Sequence, residues 1–220
     1  CRTLEGLKLP SKLQKIGSWA FCRCENIKEI EVPVKIQELE ETVFCDCSQL
    51  ESVKLNRVTV IGDSAFQNCE NLTEIIMSTP LEKIGEKAFW GCKNLKKIEF
   101  QQGLKTIGDG AMAQCTSLKN INLPESVEKI GKGVFQSCNL EKVEIDDQNK
   151  YYVSVDGAIY NKAKTELVEL WDKTIEVYTI PSSVKIIDGN AFTQPPKLRE
   201  VKFEENSNLL TIGESAFWNC

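Results

Sequence analysis

A nine-residue motif returns along this chain about every 23 residues: Ile-Gly, two residues, Ala-Phe, two residues, Cys. It reads Ile16-Gly17, Ala20-Phe21, Cys24, then Leu39, Val43-Phe44, Cys47, then Ile61-Gly62, Ala65-Phe66, Cys69, and continues from Ile84, Ile107, Ile130, Ile187 and Ile212. A fixed period of this length makes each copy one turn of a solenoid, because a single copy cannot bury its own apolar face and must stack on its neighbours.

A second pattern follows each Cys: Leu, two residues, Ile, one residue, an apolar residue. Leu72, Ile75 and Met77 show it, as do Leu95, Ile98 and Phe100, and Leu118, Ile121 and Leu123. The alternation of the last two positions predicts a short strand with one face inside, and stacked turns would pair such strands into a parallel sheet. Pro10, Pro33 and Pro124 end the strand, since proline cannot donate to a ladder. The Gly of each Ile-Gly pair is expected to supply a tight bend into the Ala-Phe arc. Ala suits the crowded interior, and Phe fills the wide part of the turn, with Met112 in its place once.

The whole unit, Ile-Gly, Ala-Phe, Cys, Leu, Ile-x-Leu-Pro, resembles the BspA-like, or treponemal, class of leucine-rich repeats. Eight copies cover nearly all of the chain; Glu40 and Asp188 stand for Gly, and Pro195 stands for Cys. The expected fold is therefore α/β but mostly β: a right-handed leucine-rich-repeat solenoid of about eight turns. The resemblance implies surface adhesins and binding proteins of bacteria and parasitic protozoa, at the cell surface or secreted.

One interruption breaks the period. The motif Phe positions run 21, 44, 66, 89, 112 and 135, then jump to 192 and 217. Repeats are thus expected over residues 1–145 and 187–220, with an insert at 146–186. Tyr151 to Val155, Asp156-Gly157 and Ala158 to Tyr160 read as a hairpin with an Asp-Gly turn, which Leu167 to Trp171 would join as a third strand. All four tyrosines (Tyr151, Tyr152, Tyr160, Tyr178) and Trp171 lie here. They either build a small core against the flank of the solenoid or supply rigid contact area for a partner.

The exposed face of the strand sheet is the other candidate surface. Its outward positions carry eight acids and four lysines, among them Glu29, Glu31, Glu74, Glu99 and Glu144, and no aromatic residue. Such a surface is either a plain solvated face or a site for a basic protein surface.

Eight of the ten cysteines (Cys1, Cys24, Cys47, Cys69, Cys92, Cys115, Cys138, Cys220) share one repeat position and are expected to stack as buried free thiols. Strand spacing of about 4.8 Å is too wide to bridge every rung. Cys22 and Cys45 are extra; two free thiols or a mutual disulfide are both open, whereas a zinc site with Cys24 and Cys47 would draw two ligands out of the core.

Chemistry finds little footing. The chain has no histidine, no P-loop and no G-x-G-x-x-G, so neither catalysis nor a cofactor or metal is expected. Asp146-Asp147 reads as a turn, and Asn71-Leu72-Thr73 matches a glycosylation acceptor whose Leu belongs to the core. A net charge of −5 without a basic stripe disfavours nucleic acid, and no apolar run is long enough to insert in a membrane. The expected partner is a protein, such as an extracellular-matrix or plasma protein. A rigid stalk or an intracellular scaffold are the other readings; unpaired thiols would suit the latter. Both ends fall within a repeat, so the chain reads as a piece of a longer array whose apolar ends (Leu4, Leu7, Leu9; Phe217, Trp218) favour end-to-end association.

Overall fold

The computed structural model describes all 220 residues as stacked coils built from 17 short strands. Most turns contribute two of them; the turn of Leu95, Ile98 and Phe100 lacks the four-residue strand its sequence predicts and interrupts that ladder. The four-residue strands follow the Leu-x-x-Ile pattern and pair in parallel with the equivalent strand of the next turn, Glu29–Val32 against Ser52–Leu55 and then Glu74–Met77. Asn120–Leu123 pairs likewise with Lys142–Ile145, and Val177–Ile180 with Glu200–Phe203. A second ladder of two-residue strands runs through Leu39, Ile61, Ile84, Ile107 and Ile130.

The Ala-Phe arc joins the turns by hydrogen bonds and by ring stacking. The Phe44 N–H donates to the Ala65 carbonyl at 2.8 Å, Phe66 to Ala88 at 2.8 Å and Phe89 to Ala111 at 2.7 Å. The rings of Phe21, Phe44, Phe66 and Phe89 lie 5.4 to 5.5 Å apart in nearly parallel planes. Each buried Cys thiol adds a further rung, donating to the carbonyl of the Phe one turn earlier: Cys69 to Phe44, Cys92 to Phe66 and Cys115 to Phe89, at 3.1 to 3.2 Å.

The helical part of the expected α/β class is absent, since every regular element is a strand. The arc itself prevents a helix. Two residues in each arc hold positive φ, such as Thr42 and Asp46 at 58° each, or Ser64 at 55° and Asn68 at 58°. A left-handed residue inside the arc stops any right-handed helix from propagating.

The role of the Ile-Gly glycine also differs from expectation. Gly62, Gly85, Gly108 and Gly131 do not need positive φ; they need to be small, because the previous turn passes directly against them. A Cβ on Gly108 would stand 2.5 Å from the Glu86 nitrogen, and one on Gly131 would stand 2.5 Å from that of Asp109. Gly17, at the first such turn, has nothing within 4 Å.

The insert is spliced into the stack rather than laid on its flank. Tyr152–Val155 and Ala158–Asn161 form an antiparallel hairpin through Asp156 and Gly157, whose φ of 51° and 77° fit the turn type that matches strand twist. Glu166–Leu170 pairs antiparallel with Ala158–Asn161 and, on its other edge, parallel with Ile186–Ile187. Its two faces feed different cores. Ile159 and Val168 join the 44-residue core of the N-terminal turns, whereas Ala158, Tyr160, Leu167 and Leu170 join an 11-residue core with Tyr178 and Phe192. A sheet apolar on both faces has to be covered on both, which places it between the two halves of the array. Beyond it, Val177–Ile180 and Ile186–Ile187 make the pairings of an ordinary repeat.

This splice would leave the arc ladder broken at Phe135, whose N–H has no following Ala carbonyl to meet. Glu169 takes that place, both carboxylate oxygens accepting from the Phe135 N–H at 3.0 and 3.2 Å. Glu169 is 1% exposed, and burial pushes its carboxyl up to about 7 against the opposing pull of Lys173 and of the amide donors. The buried Lys173 ammonium donates to the Leu170 and Thr193 carbonyls at 2.7 and 3.3 Å, and burial lowers its pKa.

Two measurements test these arguments. Gly108→Ala should cost about 3 kcal/mol in urea unfolding, because the previous turn's backbone must move. Gly110→Ala meets no atom closer than 3.6 Å and should cost only about 1 kcal/mol, for a left-handed alanine at φ 59°. The carboxyl of Glu169 binds its proton more tightly folded than unfolded, so its contribution is full below pH 4.5 and is lost as the pH rises through about 7. The urea midpoint should therefore fall between pH 5 and 8 more steeply in the native chain than in Glu169→Gln, which keeps an acceptor for Phe135 but does not titrate; equal slopes would remove Glu169 from this role.

Candidate functional site

The four-residue strands present their odd-numbered or even-numbered side chains to solvent in register, so equivalent residues from successive turns form rows. Glu29, Glu31, Glu74, Glu99 and Glu144 are exposed on this face, as the alternation predicts. The four lysines among them are each tied to an acid: Lys54 to Glu31 at 2.9 Å, Lys142 to Glu144 at 2.5 Å, Lys202 to Glu200 at 3.5 Å, and Lys97 to Glu99. With the lysines so engaged, Glu29 and Glu74 remain as carboxylates outside these pairs. Exposed pairs of this kind add well under about 1 kcal/mol each to stability, so their effect is mainly to set the charge pattern that a partner meets.

Where this face reaches the insert, it opens into a cleft of about 820 Å³. Phe100 and Asn122 line one side, Glu144, Asp146 and Asp147 the other, and Ser154 of the hairpin the end. The cleft exists because the chain leaves the ladder at Ile145 to enter the insert: Asp146 caps that turn, its carboxylate accepting from the Gln148 N–H at 2.9 Å. Asn149, buried just after, fixes the exit by donating to the Val127 carbonyl at 2.9 Å and accepting from the Tyr151 and Tyr152 N–H groups at 2.8 Å. The sequence singles out Asp146-Asp147 only as a turn; that the turn also forms a cleft wall depends on the insert returning beside it.

The aromatic residues of the insert divide by depth. Tyr160 and Tyr178 are 1% and 4% exposed, and their hydroxyls bond to each other at 2.5 Å inside the second core. Tyr152 is half-buried, its hydroxyl accepting from the Ile130 N–H at 3.1 Å, so it closes the other broken ladder at the splice. Trp171 is also half-buried and donates its indole N–H to Ser154 at the cleft end, at 3.0 Å. Tyr151 is the one ring of the five that stands in solvent, 47% exposed. Burial of tyrosine is unreadable in composition, because the same ring serves a core or a contact surface equally well.

The cysteines are all free thiols. Cys47, Cys69, Cys92, Cys115 and Cys138 are fully buried, and burial pushes Cys47 and Cys138 up to about 12 and the three between them well above the usual thiol range. Cys22 and Cys45 lie on adjacent turns, with their sulfurs and an Asp46 carboxylate oxygen within 4.8 Å of one another. Asn71 is half-buried, and its amide joins a row with Gln49 and Asn94 at 3.3 and 3.1 Å. A charged thiol reagent should label Cys1, Cys22 and Cys220 in the native chain and reach the other seven only after unfolding; rapid native labelling of Cys69 or Cys92 would contradict the buried ladder.

The model of the BspA type leucine rich repeat region matches in six copies, over residues 1–95, 55–155 and 170–220. A leucine-rich repeat protein from Eubacterium ventriosum is 31% identical, with a TM-score of 0.79 over 91% of this chain and 53% of its own. A leucine rich cell surface protein from Faecalibacterium prausnitzii is 24% identical, with a TM-score of 0.68 over 94% of this chain and 62% of its own. The pneumococcal vaccine antigen PcpA is 23% identical, with a TM-score of 0.59 over 89% of this chain and 47% of its own. This chain thus spans about half the length of these relatives, and the latter two show the fold alone. No curated protein matches it by sequence. No helix is long and apolar enough to cross a membrane. The repeat model and the Eubacterium relative together establish that the chain belongs to the family of BspA-type leucine-rich repeat proteins.

Proposed function

We propose that this chain is a non-catalytic protein-binding module of a cell-surface protein, and that it takes a basic segment of its partner into the cleft between the strand face and the insert. The observation that carries this reading is the gathering of Glu144, Asp146 and Asp147 in the lining of an 820 Å³ cleft, where Lys142 is tied to Glu144 and Lys162 to the Asp147 carbonyl, so that the Asp146 and Asp147 carboxylates stay outside ion pairs. Two such neighbouring carboxylates attract and orient a cation. Tyr151, exposed at the root of the insert, adds rigid contact area at small entropic cost. Glu29 and Glu74, exposed on the same face and outside its ion pairs, extend the negative potential along the solenoid, while Glu31 and Glu99 are held by Lys54 and Lys97. Surface location is supported by the named surface protein and vaccine antigen among the structures of similar fold. Extracellular-matrix and plasma proteins are the partner class that fits such a location.

The test is surface plasmon resonance of the intact chain over immobilised extracellular-matrix and plasma proteins. Saturable binding is expected, weakening as salt rises, and the triple variant Glu144→Gln, Asp146→Asn, Asp147→Asn should weaken it by about tenfold or more, since each lost charge pairing is worth about 1 kcal/mol or more. Tyr151→Ala should weaken it further. Binding left intact in the triple variant would move the site elsewhere on the solenoid. No binding by the intact chain would favour a stalk that spaces another domain from the cell.

A further inference from the structure

Where the arc returns toward the strand, each turn carries a left-handed residue, and these residues form a row. Arg23, Asp46, Asn68, Gln114, Ser137 and Gln194 occupy it, each with a polar side chain and φ between 53° and 62°. Several of these side chains bond along the row: Arg23 to Asp46 at 3.4 Å, Asn68 to Asp46 at 2.8 Å, and Ser137 to Gln194 at 2.5 Å. Gly91, at φ 76°, is the single member with no side chain. Its place is taken by Asn68: a Cβ on Gly91 would stand 2.6 Å from the Asn68 side-chain oxygen. The row therefore lays the Asn68 amide over Gly91.

Trp90, next in the chain to Gly91, is half-buried. It forms part of a shallow groove of about 450 Å³ lined by Asp46, Asn68, Glu70, Trp90, Lys93 and Gln114, with Glu25 and Ser48 at its far end. From Glu25 to Gln114 the groove crosses five successive turns, roughly 19 Å at the spacing of paired strands. Its chemistry is specific. Trp90 is the one hydrophobic side chain in it, which suits neither a lipid nor an apolar peptide face. Lys93 is paired with Glu70 at 2.8 Å, so the groove offers no free cation to a phosphate or sulfate. The Asn68 side-chain oxygen and the whole Gln114 amide make no hydrogen bond within the protein, so they present both an acceptor and a donor in the groove.

We propose that this groove binds a neutral oligosaccharide. A pyranose ring has one face of C–H groups and an equator of hydroxyls that both donate and accept. The indole of Trp90 can cover the C–H face while the Asn68 and Gln114 amides and the Asp46 and Glu70 carboxylates take the hydroxyls. The missing side chain at Gly91 leaves room for the Asn68 amide, whose oxygen then faces the groove as an acceptor for the sugar. A linear glycan, itself a repeating chain, fits a groove built by repeating turns. This site lies apart from the acidic cleft and does not depend on it.

The probes are cellohexaose, maltohexaose and N-acetylated chitohexaose, titrated into the intact chain by isothermal calorimetry. Two variants report on the groove. Trp90→Ala removes the stacking surface. Gly91→Asn drives the Asn68 oxygen from its place with a residue that tolerates this backbone, as Asn68 and Asn219 do at φ 58° and 54°; circular dichroism and the melting temperature verify that it folds. Saturable binding of at least one hexasaccharide is expected, weakened about tenfold or more in both variants, as loss of an aromatic contact and of the Asn68 acceptor would require. The proposal is overturned if none of the three sugars binds, if a folded Gly91→Asn binds as the native chain does, or if only a lysine- and arginine-rich decapeptide, and no sugar, occupies the groove.

Discussion

Each turn of this chain leaves backbone donors and acceptors in its arc that only the equivalent residues of the next turn can satisfy. That one requirement organises the molecule. The Phe N–H must meet the next Ala carbonyl, so the turns stack in register at strand spacing. In-register stacking then sets Phe on Phe, Cys thiol on Phe carbonyl and Gly against backbone. Side chains at these positions are fixed by the fit between turns far more than by anything within a turn, which is why a Gly→Ala change at Gly108 is felt as a backbone clash.

The same requirement explains the insert. A segment that breaks a hydrogen-bonded stack must replace what it displaces, since an orphaned buried N–H costs about as much as a lost hydrogen bond. Glu169 serves the Phe135 N–H and the Tyr152 hydroxyl serves the Ile130 N–H. An ionisable group was recruited for one of those tasks, and Lys173 accompanies it in the same buried region. The result is a continuous array that holds a hairpin at a defined angle to the strand face. The cleft and its carboxylates follow from that placement.

Much of this was legible in the residues themselves. The 23-residue period, the strand positions except that of Ile98 to Phe100, the buried Cys row, the Asp-Gly hairpin and the exposed glutamates of the strand face all follow from periodicity and local turn chemistry. Legibility fails wherever one residue type serves two environments. Tyr160 and Tyr178 read equally as core or contact residues and lie in a core; Tyr152 reads the same way and closes a ladder. Glu169, in a run of apolar residues, carried one faint signal: a lone carboxylate on a strand buried on both faces needs a partner. The Ile-Gly glycine reads as a bend and acts as a spacer, because a sequence shows which residue is small but not what passes beside it.

The sequence by itself determined the solenoid, its family and the number of its turns, since a periodic apolar pattern permits only stacking and stacking has one spacing. Only the tertiary structure decided what the surfaces are. It put the insert between two cores rather than on a flank, drew Asp146 and Asp147 beside Glu144, and laid the Asn68 amide over Gly91 in the groove that Trp90 lines. Those juxtapositions join residues from different turns and from the two sides of an insertion. Their separation in space is set by how turns pack on one another, and packing is a property of pairs of turns that no single copy of the repeat records.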